Sequence, residues 1–419
     1  MQDTRTDTDK DFKALKNLYE LKELELNSLL EITQAINNNL PEEQLYRIYN
    51  FTLRANLNIR KLVLYVIDED GHWQCKVNFG TETNFLKVPL DENFLQFEVP
   101  TNLGDAGKGG SFEEFDVVLP VLHKKNRLAI VFASGINPDQ ESITRHTNTT
   151  LLEALSNIII VAIENKKLAR KQISQEAFRR EMEIAKDVQK LLFPDALPYG
   201  PRLKIESSYF PHHTVGGDYY DYIPINEKQF LICIADVSGK GVPAALIMSN
   251  FQASLRTLVR QTPNLTEIIQ ELNYLVLENA RGENFITFFA GIYDHSLKTL
   301  IYVNAGHNPP VLIEGCGKVC QLSDGATVLG AFHPLPFVNE GFVEGLEDFL
   351  LFMYTDGLTE TFNDQEEEFG SERVYAYLEE NCKRDLKEIH TGLLEELNAF
   401  KGNQEYNDDI TMLTCRIEP

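Results

Sequence analysis

The stretch Val215–Gly241, VGGDYYDYIPINEKQFLICIADVSGKG, places Asp218 and Asp236 at the ends of two apolar segments. Alternation and β-branched content predict that Asp218–Pro224 and Phe230–Asp236 are adjacent strands joined near Asn226–Lys228. Gly216 and Gly217 before the first acid, and Gly239 and Gly241 after the second, leave room for backbone to approach a ligand closely. Two further acidic dipeptide sites lie downstream against apolar runs. Asp356-Gly357 follows Phe349–Tyr354, and Asp408-Asp409 precedes Ile410–Cys415. Any one of these acids is accounted for by a strand cap or a turn. As a set they pose an electrostatic problem, because carboxylates about 4 Å apart repel by roughly 4 kcal/mol per pair at an effective dielectric near 20. A converging set must take up protons or hold a cation, and oxygen ligands without a His or Cys cluster favour Mg²⁺ or Mn²⁺.

Six phrases occur in order: AKDVQKLLFP (Ala185–Pro194), VGGDYYDY, ADVSGKG, NAGHNPP (Asn304–Pro310), YTDGLTE (Tyr354–Glu360) and YNDDIT (Tyr406–Thr411). Together they resemble the bacterial SpoIIE/RsbU-type branch of the PPM, type 2C-like, metal-dependent Ser/Thr protein phosphatases, over about residues 185–417. The resemblance implies an αββα sandwich and two divalent cations, Mn²⁺ or Mg²⁺, that bridge and acidify a water for attack on a phosphomonoester. Carried over by motif, Asp236 bridges both ions and the Val237 carbonyl serves one of them. Asp218 serves the ion shared with Val237, and Asp356 and Asp408 serve the other. Asp409 stands where relatives often carry Asn and is expected to orient the site or substitute as a ligand. Relatives from eukaryotes usually have a His where Ser238 stands, and a phosphate-gripping Arg with no convincing counterpart here. Ser238 is too weak an acid to protonate a leaving group near neutral pH. Lys240 and His307 are the remaining side chains of interest, the first as a phosphate contact and the second as an acid, although each also fits an ordinary turn. By the same resemblance, the substrate is phosphoserine or phosphothreonine on a small STAS-domain anti-anti-sigma protein.

The chain ahead of this region bears on regulation. With 419 residues, two or three domains are expected, and 43% apolar content supplies real cores. The net charge of −24 argues against nucleic acid and anionic membrane surfaces, and permits a neutral or basic protein partner. The polar start MQDTRTDTDKD carries no signal peptide pattern, and apolar runs such as Ile158–Ile163 are too short to span a bilayer. Six scattered cysteines, with Cys316 and Cys320 the closest pair, suggest reduced thiols and a cytoplasmic setting.

Four segments follow: an N-terminal helix over 1–40, a sensor domain over 41–165, a helical linker over 166–193 and the phosphatase domain over 194–419. Positions Phe12, Leu15, Tyr19, Lys22, Leu26, Leu29, Thr33, Ile36 and Leu40 fit either a coiled-coil seam or an amphipathic helix packed on its neighbour. Hairpins at Leu62–Phe79 and Val117–Ser134, followed by a helix from about Glu141, are similar in order to a GAF sensor domain. Its ligand is not legible; Cys75, His72 and His123 read as ordinary strand or turn residues. From Leu151 to Leu192 one long helix is expected, with a weaker seam at Leu168, Lys171, Gln175, Phe178, Met182, Ala185, Gln189 and Leu192. Such a seam suits signal transfer and a homodimer. The fold class is therefore α+β, a GAF-like antiparallel sheet with helices joined by a long helix to a PPM sandwich.

Two rival readings remain. GGDYY echoes a diguanylate-cyclase core, but that leaves ADVSGKG, YTDGLTE and YNDD without roles. An inactive scaffold would be marked by loss of a ligand acid, and Asp218, Asp236, Asp356 and Asp408 are all present. Beside these two stands a blander third, an active phosphatase with a substrate outside sigma-factor control.

Overall fold

The computed structural model describes residues 3–57, 59–103, 110–124, 126–135, 142–315 and 317–419. The chain divides into two compact units, Met1–Glu176 and Ala177–Pro419.

In the first unit, α1 (Asp3–Asn37) and α2 (Glu42–Asn56) precede five strands: β1 (Lys61–Ile67), β2 (Trp73–Phe79), β3 (Thr101–Asn102), β4 (Val117–His123) and β5 (Asn126–Ser134). The strands form an antiparallel sheet in the order β2-β1-β5-β4-β3. Side chains alternate between its faces, as the period of two requires. Leu62, Leu64 and Val66 pack with helical residues Ile32, Tyr49, Leu53, Leu155 and Ile159. Val63 and Tyr65 instead meet Phe85, Phe94, Phe112 and Phe132, with the rings of Phe112 and Phe132 4.6 Å apart. The C-terminal half of α1 is buried through Ile32 and Ala35 with Leu29 and Ile36 beside them, whereas Phe12, Leu15, Tyr19 and Leu26 are exposed. On β2, Cys75 is half-buried and burial pushes its thiol up to about 11, which leaves it protonated and unreactive.

Helix α3 (Ser142–Lys190) runs from one unit into the other. In the second unit the strands are β6 (Leu203–Phe210), β7 (Tyr219–Pro224), β8 (Gln229–Val237), β9 (Ile286–Asp294), β10 (Thr299–Ala305), β11 (Val311–Glu314), β12 (Cys320–Gln321), β13 (Gly325–Ala326), β14 (Gly341–Glu344), β15 (Phe349–Tyr354) and β16 (Ile410–Ile417). The helices are α4 (Gly241–Gln261), α5 (Leu265–Ala280), α6 (Asp356–Thr359), α7 (Ser371–Asn381) and α8 (Leu386–Lys401).

One sheet has the order β13-β10-β9-β8-β7 with β14 also paired to β10, and the other is β12-β11-β15-β16-β6. All pairings are antiparallel except the short edge where β10 meets β13. The strands read as continuous apolar runs because both of their faces are covered. On β8, Phe230, Ile232 and Ile234 face the opposite sheet, whereas Leu231, Cys233 and Ala235 face Met248, Leu255 and Leu272 of α4 and α5. On β15, Leu351 and Met353 face inward while Leu350, Phe352 and Tyr354 meet α7 and α8 through Val374, Leu378 and Leu393. The result is helices, sheet, sheet, helices. Cys75, Cys233, Cys320 and Cys415 are free thiols, but Cys382 is disulfide-bonded, which corrects the reading of six reduced cysteines. Cys316 lies outside the described residues. Among the described residues, no helix is long and apolar enough to cross a membrane.

Candidate active site

The register of the two sheets brings the acids to one end of the sandwich. Tyr219 pairs with Ala235, so Asp218 enters β7 opposite Asp236 near the end of β8. In the other sheet Tyr354 pairs with Met412, which sets Asp356 beyond β15 against Asp408 and Asp409 ahead of β16. Side chains from the second sheet reach across to the first. Thr355 donates its hydroxyl to Asp218 Oδ2 at 2.9 Å, and Thr411 donates to the same oxygen. Asp409 accepts from the backbone N–H groups of His212 (2.7 Å) and Gly217 (2.8 Å), locking the loop that delivers Asp218. The Asp409 carboxylate is thus spent on backbone donors of the segment ahead of Asp218.

Two glycines have no substitute here. A Cβ on Gly216 would lie 2.1 Å from Asp409 Oδ2, and one on Gly357 would lie 2.1 Å from the Asp409 carbonyl oxygen. The second clash is with backbone, which cannot rotate away. Gly357→Ala is expected to destabilise the second unit by about 3 kcal/mol, lowering Tm by roughly 6–12 °C. A shift under 2 °C in a thermal scan would show that the Asp409 peptide yields.

The electrostatics are those of a buried carboxylate cluster with a cation, Lys240, beside Asp408. Burial and the neighbouring Asp236 and Asp409 push Asp218 well above the carboxylate range. Burial, with Asp356, Asp408 and Asp409 nearby, pushes Asp236 up to about 7 despite a hydrogen bond with Asp218. Asp356 is raised by burial and by Asp408. Asp409 is raised by burial, against the pull of its two backbone donors. Lys240 is 2.9 Å from Asp408 Oδ2 and also donates to the Asn407 carbonyl, so it is an acid partner in this structure rather than a free phosphate contact.

The donor set suits a hard divalent cation: carboxylate oxygens, mutually repelling, on rigid strand ends. The acids stand somewhat apart. Among the described residues, the one triple with ligand atoms all within 4.8 Å of one another is Asp68, Asp70 and His72 on the turn between β1 and β2, where His72 and Asp70 are exposed.

The two side chains considered for acid chemistry are otherwise engaged. Ser238 Oγ accepts from the Phe285 N–H at 2.9 Å, and Asn284 donates to the Ser238 carbonyl at 2.6 Å. His307 is buried, its Nδ1 shares a hydrogen bond with Thr287 Oγ1 at 2.8 Å, and burial lowers it to about 4, so it is neutral near pH 7. Sequence reasoning overlooked Thr355, Thr411, Gln189 and the pair Asp221–Arg256. Thr355 was within sight, since it adjoins Asp356, and Thr411 lies two residues after Asp409.

The Stage II sporulation protein E (SpoIIE) family matches residues 226–418. The chain is 25% identical over 285 residues to Protein IcfG of Synechocystis sp. (strain ATCC 27184 / PCC 6803 / Kazusa), covering 62% of this chain and 45% of that one. It is 28% identical over 246 residues to Phosphoserine phosphatase RsbU of Bacillus subtilis (strain 168), covering 58% of this chain and 71% of that one. Among solved structures, the SiaA-PP2C domain of Pseudomonas aeruginosa superposes with a TM-score of 0.53 at 20% identity, over 58% of this chain and 99% of that domain. That likeness fixes the fold, and it spans the same sandwich on which the acids converge. The C-terminal unit of this chain thus matches the Stage II sporulation protein E family over residues 226–418 and shares its fold with a PP2C domain.

Proposed function

We propose that this chain is a sensor-regulated, divalent-cation-dependent protein serine/threonine phosphatase. The observation that carries the reading is the convergence of Asp218, Asp236, Asp356 and Asp408 at one end of the sandwich, where burial and the neighbouring carboxylates drive Asp218 and Asp236 toward protonation. These four, with the Val237 carbonyl, would hold two ions, Mn²⁺ or Mg²⁺. When bound, such ions supply an acidified water and charge neutralisation for the phosphoryl oxygens. The chain's own residues do the holding. Thr355 and Thr411 fix the Asp218 carboxylate, Asp409 clamps the loop before it, and Lys240 braces Asp408 at the rim. With Ser238 held by the Phe285 N–H and His307 kept neutral by burial, leaving-group protonation falls to solvent.

The substrate reading is phosphoserine or phosphothreonine on a STAS-domain anti-anti-sigma protein, in keeping with the motif resemblance and with the similarity to a phosphoserine phosphatase. The five-stranded antiparallel sheet of the first unit supports a GAF-like sensor with an unidentified ligand, and the exposed apolar residues of α1 and α3 support a homodimer through helices. A cytoplasmic location and the division 1–40, 41–165, 166–193 and 194–419 belong to the same proposal.

Hydrolysis of p-nitrophenyl phosphate and of a phosphoserine STAS protein tests it. Activity is expected with Mn²⁺ or Mg²⁺ and is expected to vanish after EDTA and return on adding metal. Metal-independent turnover would refute the cation site. No turnover in the full chain or in a chain beginning near Ala185 would favour a non-catalytic scaffold, and turnover of the small substrate alone would move the protein partner outside sigma-factor control.

A further inference from the structure

Gln189 sits on the last turn of α3, at a position whose heptad spacing assigns it to a coiled-coil seam, yet it is buried within the second unit. Its amide makes two hydrogen bonds to one residue. Nε2 donates to the Gly216 carbonyl at 2.7 Å, and Oε1 accepts from the Gly216 N–H at 3.2 Å. On the far side of the same segment, Asp409 accepts from the Gly217 N–H. Gly216 thus lies between an amide and a carboxylate, two residues before Asp218. The helix end itself is pinned: Gln252 donates to the Leu192 carbonyl at 3.1 Å, and Phe193 stacks on Tyr209 and Tyr220 at 5.1 and 4.9 Å.

We infer that Gln189 is a positioning residue that sets the cation affinity of the acid cluster by holding the Gly216 peptide from the end of α3. The physical reason is specific to the doubly bonded geometry. A glycine pair is free to turn, and a carboxylate two residues later inherits that freedom unless the peptide is held at both its N–H and its C=O. A satisfied buried amide supplies both bonds at once, and its loss leaves two buried backbone groups unpaired. This inference rests on the cation-dependent reading above and deepens it.

The test measures Mn²⁺ binding by calorimetry, and hydrogen exchange of the peptide spanning residues 211–219, in the full chain. Gln189→Met keeps the volume and removes both bonds. It is expected to weaken Mn²⁺ binding about tenfold, equivalent to roughly 1.4 kcal/mol, and to speed exchange across 216–218. Gln189→Glu keeps the acceptor, loses the donor, and is expected to weaken binding as well. Gln252→Met loosens the same helix end without touching Gly216 and is expected to leave Mn²⁺ affinity within about twofold of wild type at a comparable Tm loss. Unchanged Mn²⁺ affinity in both Gln189 variants overturns the inference while leaving the cation site standing. Equal weakening by Gln252→Met also overturns it, because the effect is then general loosening. If wild type binds no Mn²⁺, the cation reading falls and the inference with it.

Discussion

Asp236→Asn is expected to cut Mn²⁺-dependent phosphoserine hydrolysis on the order of a thousandfold or more, while making the metal-free protein more stable than wild type. The two effects have opposite signs because they concern different states. With cations bound, Asp236 would contribute a charged ligand that Asn cannot match. Without them, its carboxylate is buried among Asp356, Asp218, Asp408 and Asp409, and its affinity for a proton rises to about 7. A carboxyl raised in the folded state favours folding when protonated, and that advantage is lost as pH rises from its unfolded value near 4 through about 7. Removing the charge is worth about 1–2 kcal/mol above that range, or roughly 2–8 °C in Tm for a domain of this size. Thermal scans in EDTA at pH 5 and pH 8 therefore carry the argument: the variant gains at pH 8 and converges on wild type at pH 5. Adding Mn²⁺ should raise Tm for wild type and leave the variant nearly unmoved. Retention of more than a tenth of the activity, or an equal Mn²⁺ response, would remove Asp236 from the centre of the site.

The sandwich was legible because its strands are buried on both faces and so appear as uninterrupted apolar runs, Phe230–Ala235 and Phe349–Tyr354 above all. The acids were legible for a related reason. A charged residue directly after such a run must lie where the strand leaves the core, and antiparallel pairing then decides which ends coincide. What escaped notice lacks a local signature. Strands β12, β13 and β14 are two to four residues long, too short for alternation to register. Thr355 and Thr411 are common strand residues whose value appears only when Asp218 arrives from 137 and 193 residues away. Gln189 fitted a heptad, and heptad spacing does not reveal which of several neighbours a helix face will meet. The same ambiguity applied to α1, whose apolar positions fitted a seam and an amphipathic helix alike until Ile32 and Ala35 were seen to carry the burial.

The DYYD motif contains a second acid whose role is entirely different, and Arg256→Met exposes the difference. Asp218 and Asp221 are three residues apart, so along a strand they point to opposite faces. Asp221 shares the helix-covered face with Tyr219 and Ile223 and is fully buried beneath α4. Arg256 of α4 answers it with a forked contact, Nε at 2.7 Å and Nη2 at 3.1 Å, and Tyr219 donates its hydroxyl as well. Methionine at 256 keeps the aliphatic stem and strands the carboxylate without its counter-charge. Breaking a buried pair from one side costs about 3–5 kcal/mol, so Tm should fall by roughly 6–20 °C. Adding Asp221→Asn to Arg256→Met removes the orphaned charge and should recover a substantial part of that loss, a coupling of about 1–3 kcal/mol that independent sites would not show. Because this pair lies on the helix side of the sheet, Mn²⁺ affinity should stay near wild type in whatever fraction of the protein remains folded. Additive losses in the double variant would mean that the arginine acts through packing alone. A loss of metal affinity at unchanged Tm would mean that Asp221 belongs with Asp218 in the acid cluster, and that alternation along β7 does not separate a structural acid from a functional one.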